Sequence, residues 1–99
     1  MSIRSIWESR FPPERAGEGA EVTRAIWADM RSFSGYERHE IVQDIDDPGH
    51  LFVISAWADR AAADAALSYA SHPNAVRANQ LVSEPRRRTV AAVLDTGPR

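Results

Sequence analysis

The run His50-Leu-Phe-Val-Ile-Ser-Ala-Trp57 constrains the fold more than any other stretch. Read as a strand, it is apolar on both faces: Phe52, Ile54 and Ala56 fall on one, Leu51, Val53 and Trp57 on the other. A strand buried on both faces lies centrally in a sheet that is covered twice. Any fold for this chain must supply both layers of cover.

The flanking segments supply one layer. Ile3 to Phe11 alternates at period two, with Ile3, Ser5, Trp7, Ser9 and Phe11 pointing one way. Pro12-Pro13 ends it, because neither residue can donate to a ladder. Glu14 to Phe33 reads as a helix, with Ala20, Val22, Ile26, Trp27, Met30 and Phe33 at three- and four-residue steps. Gly17 and Gly19 weaken its first turns, so its firm part is expected from Ala20. Ser34-Gly35 stops the helix.

Tyr36 to Ile45 is a polar strand, with Tyr36 expected on the face opposite His39 and Ile41. Asp46-Asp47-Pro48-Gly49 has turn chemistry. Asp59 is placed to cap an alanine-rich helix, Arg60 to Ala70. His72, before a proline, should end it. A short helix over Asn74 to Leu81 and a last strand starting at Glu84-Pro85 complete the order β-α-β-β-α-β. This is an α+β, ferredoxin-like arrangement: a four-stranded antiparallel sheet with helices on one face. The chain offers no cover for the other face, so a second copy is expected there, as a homodimer.

Composition narrows the function classes. Ninety-nine residues correspond to a single domain, 1–99. A net charge of −2 gives no electrostatic case for nucleic acid. Arg86-Arg87-Arg88 reads as a solvated strand start. Cysteine is absent, which removes disulfides, thiol catalysis and Cys-based metal sites. No apolar run approaches the roughly 20 residues of a membrane span, and no secretory signal is legible; a cytoplasmic location is the expectation. The three His show no HxH or HExxH spacing, so no metal is expected, and no phosphate-binding glycine loop occurs.

Five local features together resemble the antibiotic biosynthesis monooxygenase family of dimeric α+β barrels. They are Gly35-Tyr36 opening a strand, Trp57-Ala58-Asp59 at the strand-to-helix junction, Ala65-Ala66-Leu67 in the helix, Ser71-His72-Pro73 at its end, and Glu84-Pro85. The haem-degrading branch does not fit. Its Asn, helix Trp and haem-ligating His would fall on Ser9, Leu67 and Arg77. The chain is more similar to the branch that oxidises aromatic polyketides. That resemblance implies no flavin, haem or metal: the substrate, as a phenolate or enolate, passes an electron to O₂ in an apolar pocket.

On that resemblance the candidate proton acceptors are His72, at a helix end, and His39 in reserve. His72 could equally serve as a helix C-terminal cap, and His39 as a structural residue. Trp7, Trp27, Trp57 and Tyr69 are the candidate walls for a flat aromatic substrate, against a reading as plain core. His50, beside the turn, reads as exposed and uninvolved. The expected function is a cofactor-independent monooxygenase acting on a small aromatic molecule. A non-catalytic binding module for a hydrophobic ligand and a polyketide cyclase or isomerase remain open beside it.

Overall fold

The structure is a computed structural model that describes residues 2–98. Four strands form one antiparallel sheet in the order β2-β3-β1-β4: β1 (Ile3–Arg10), β2 (Tyr36–Asp44), β3 (Asp47–Trp57) and β4 (Arg87–Ala92). The helices are α1 (Ala16–Met30), α2 (Arg60–Ala65) and α3 (Pro73–Leu81), with 3-10 segments at Pro13–Arg15 and Ala66–Ser71. This is the ferredoxin-like α+β arrangement. None of the described helices is long and apolar enough to cross a membrane.

β3 lies between β2 and β1, as its two apolar faces require. Register fixes the inner face. Ile3, Ser5 and Trp7 of β1 stand opposite Trp57, Ser55 and Val53 of β3. Ile3, Val53 and Trp57 join Val22, Ile26, Trp27 and Met30 of α1 in the buried core, with Trp7 partly buried against it. The outer face carries Ile6, Phe52 and Ile54 among charged neighbours, and no helix among the described residues covers it.

Four local expectations change. Helix α1 is regular from Ala16, not from Ala20. Gly19 serves packing there: a Cβ on it would stand 2.5 Å from the Phe11 ring. The hairpin turns on Ile45-Asp46 rather than on Asp46 to Gly49, and Pro48 already belongs to β3. Pro48 lies where the pairing jumps from Asp44 with Asp47 to Gln43 with Leu51, so the ladder asks no N–H of it, and its carbonyl accepts from the Gln43 amide at 2.9 Å. The alanine-rich helix is not continuous to Ala70: it tightens to 3-10 from Ala66, with no Gly or Pro to announce the change.

The fourth change concerns β2. Tyr36 pairs with Trp57 and Arg38 with Ala56, so Glu37 is an extra residue bulged out of the ladder. The bulge shifts the alternation by one. Tyr36 and His39 therefore share the inner face, where the sequence pattern had opposed them, and the Tyr36 hydroxyl lies 2.6 Å from His39 Nδ1. Gly35, before the bulge, has φ +84° and lies where a Cβ would meet the Ala62 methyl at 2.4 Å. Backbone strain and crowding both select glycine here.

Candidate active site

The alanines that make α2 a good helix also leave it thin. Ala63 of α2, Ala66 and Ala70 of the following 3-10 segment and Ala75 of α3 line the space beside the sheet that larger side chains would fill. The space left is a pocket open to solvent, with an enclosed volume of about 60 Å³. Trp7 from β1, Trp27 from α1, Trp57 from β3 and Tyr69 from the 3-10 segment all line it. Trp57 is locked: its indole N–H donates to Ser55 Oγ at 2.9 Å, and Ser55 donates to the Ser5 carbonyl at 3.1 Å.

Two cations also line the cavity, and composition alone misplaced them. The Arg triplet is not uniformly solvated. Trp7 pairs with Arg88 and Glu8 with Arg87, so Arg88 faces inward and Arg87 outward. Arg88 donates to Asp64 at 3.0 Å and is matched by it. Arg86 lies with its guanidinium 4.9 Å from the centre of the Trp7 ring, and its Nε–H donates to the Asn79 side-chain oxygen at 2.9 Å. No carboxylate among the described residues pairs with it. Period-two alternation through Arg86-Arg87-Arg88 was the signal that could have found this pair.

Tyr69 presents its ring to the cavity, but its hydroxyl is already engaged. It donates to Asp29 Oδ2 at 2.5 Å and accepts from the Asn74 amide at 3.3 Å. Burial, then the Asp29 contact, push the phenol's pKa up. It stays protonated.

Neither candidate histidine is among the residues lining the cavity. His72 stacks on the Tyr69 ring at 4.4 Å and is half exposed. It caps a helix, but the N-terminus of α3 rather than the C-terminus of its predecessor: Nδ1 accepts the Asn74 backbone N–H at 3.0 Å. That nitrogen carries no proton, and the ring proton sits on Nε2, 3.8 Å from Asp29. Taking a further proton at Nδ1 would cost the cap. His39 sits against Trp27 at 5.5 Å with Nδ1 facing Tyr36. Burial, and then Arg31, hold its pKa below the ordinary imidazole value.

His50 is the largest departure from expectation. It is 7% exposed, on the outer face, and both ring nitrogens face carboxylates. Nε2 lies 2.6 Å from Glu8 and Nδ1 3.0 Å from Asp44. Two carboxylate neighbours require two donors, so the ring is an imidazolium. Its pKa is raised by Asp44 first and Glu8 second, against burial and Arg10. Among the described residues no group of His, Asp or Glu is arranged to hold a metal ion.

Solved structures of the same shape place this cavity in context. The chain superposes on SnoaB, a cofactor-independent oxygenase from Streptomyces nogalater, with a TM-score of 0.83 at 19% identity, covering 99% of this chain and 98% of that one. Rv0793 from Mycobacterium tuberculosis gives 0.79 at 19% identity, covering 99% and 100%. PA3566 from Pseudomonas aeruginosa gives 0.76 at 20% identity, covering 95% of each. At these identities the likeness concerns the fold. No curated protein sequence matches the chain. The sequence itself matches the antibiotic biosynthesis monooxygenase family over residues 2–78, most of its length, and the chain belongs to that family.

Proposed function

We propose that this protein is a cofactor-independent monooxygenase that oxidises a flat aromatic small molecule with O₂ in the cavity between sheet and helices. The observation that carries this reading is Arg86, a half-buried cation without a carboxylate, held over an aromatic wall. A dry cavity raises a phenol's or enol's pKa by penalising the anion. A guanidinium at the mouth offsets that penalty and favours the electron-rich anion, the form that reacts with O₂.

For an anthrone-type substrate the atoms balance without a cofactor. The anion passes one electron to O₂, and the two radicals join in a new C–O bond. Loss of water then turns the CH₂ carbon into a carbonyl. One O₂ is consumed and one oxygen leaves as water. The indole walls hold the ring and exclude bulk water during this sequence. With Nδ1 of both His72 and His39 already engaged, Arg86 carries more of the anion's stabilisation than either imidazole. The proton can leave to water at the open mouth.

The reading includes a homodimer. Ile6, Phe52 and Ile54 form an apolar strip on a helix-free face, which a second sheet would cover. The experiment is oxygen uptake with anthrone- and quinol-type compounds, alongside anaerobic incubation. Enzyme-dependent O₂ consumption with a quinone product supports the oxygenase. Product made without O₂ replaces it with a cyclase or isomerase. Binding without product replaces it with a ligand carrier.

A further inference from the structure

Ser5 and Ser55 are cross-strand partners at the centre of the inner face, and both are buried, at 2% and 0% exposure. Their hydroxyls have different occupations. Ser55 Oγ accepts from Trp57 and donates to the Ser5 carbonyl, so it is fully engaged in fixing the wall. Ser5 Oγ has no hydrogen-bond partner among the described residues, although Ser5 lines the cavity. Every sealed side-chain nitrogen or oxygen among those residues does have a partner. The open side of the Ser5 hydroxyl is therefore the cavity. A polar group this deep and without a partner needs one from elsewhere.

We infer that Ser5 is a specificity-determining residue whose hydroxyl hydrogen-bonds an oxygen at the inner end of the ligand. Resting on the oxygenase reading above, this narrows the substrate class to flat ring systems with two separated oxygen functions. One, at the mouth, is the anion held by Arg86, and the other is a phenol or carbonyl at the sheet. Ser5 lies two residues from Trp7 on the same strand face, about 7 Å along β1. That spacing suits the width of two fused rings. A single apolar ring, or one oxygenated at one end only, leaves Ser5 unmatched.

The test is calorimetric titration under argon with 2,6-dihydroxynaphthalene and with 2-naphthol, on the parent protein and on Ser5→Ala. The parent should prefer the diol. In Ser5→Ala that preference should shrink by roughly 2- to 12-fold, the value of one neutral hydrogen bond, with 2-naphthol binding unchanged. Melting of Ser5→Ala separates this from a structural role. A hydroxyl with no protein partner can be removed without lowering the melting temperature. An unchanged diol preference, no binding of either probe, or a lower melting temperature with both probes weakened alike overturns the inference. The titration needs no turnover. Loss of diol preference in Ser5→Ala without oxygen uptake by the parent rejects the oxygenase and keeps Ser5; oxygen uptake with an unchanged preference does the reverse.

Discussion

Arg86 and His50 are two cations on opposite faces of one sheet, in opposite company. His50 sits between Glu8 and Asp44, and Arg10 beside it reaches Asp47 at 3.4 Å and Glu84 at 3.3 Å. The cluster ties β1, β2, β3 and the chain before β4 together, and each of its two cations has carboxylate partners. Arg86 has a neutral amide and a ring face. A half-buried charge without a counter-ion is costly, and a fold rarely carries one for stability's sake. The two differ in company: His50 has carboxylates on both ring nitrogens, and Arg86 is the cation to which the proposed function assigns the ligand's anion.

The sharpest way to break this comparison is Arg86→Gln. It should lower kcat/KM by about 10- to 100-fold, the range of one hydrogen bond to a charged group. The melting temperature should hardly move. A strongly destabilised but fully active Arg86→Gln would reverse the roles. His50→Gln should do the opposite. Oxygen uptake stays at the parent level and stability falls by about 1 kcal/mol, which is roughly 4–8 °C in melting temperature for a chain of this size. The effect is modest because both carboxylates are 32% exposed, so water screens them.

A smaller effect is the pH dependence of the His50 contribution. The folded-state pKa is raised above 6.5. The group therefore stabilises fully below pH 6.5, and the benefit is lost as pH rises through the raised value. Asp44 runs the other way. Its pKa is lowered below 3.8, chiefly by His50, so its share is present above pH 3.8 and is lost as pH falls through the lowered value. The melting difference between parent and His50→Gln should thus be greatest between about pH 4 and 6.5 and shrink toward alkaline pH. A difference that grows with alkaline pH would show that His50 is held neutral. The smallest expected effect is Arg87→Gln, which should change neither turnover nor melting, since Arg87 is exposed on the outward side of the same triplet.

Much of the fold was legible because it follows from period. The apolar faces of β3, the alternation of β1 and the stripe of α1 each follow from residue spacing. What was not legible depended on partners distant in sequence. His50 looked exposed because it adjoins a turn, yet strand register sets it opposite Arg10 and beside Glu8, more than 40 residues away. The Arg triplet looked solvated because three charges in a row suggest water, yet strand alternation turns the outer two inward. Of the expected aromatics, Trp7, Trp27, Trp57 and Tyr69 all face one cavity. The short helix after His72 was read to within one residue, but the ring was assigned to the end of the helix before it rather than to the start of this one. Ser5 was visible only as an inward residue of a strand, because a missing hydrogen bond has no sequence signature.

The bulge at Glu37 bears on how related chains should be aligned. A relative shorter by one residue at this point would not have lost a loop residue. It would have regular pairing, with the residue at the Tyr36 position still opposite Trp57 and still on the inner face with His39. Gaps placed a few residues away, in the turn at Ile45-Asp46, would then equate inward positions with outward ones along the whole of β2. Deleting Glu37 from this chain tests the point directly. The deletion should keep the sheet and leave Tyr36 against Trp57, a ring-edge packing at 5.7 Å. The near-ultraviolet signal of that tryptophan should persist, and its loss would show that the bulge itself holds Tyr36 inward.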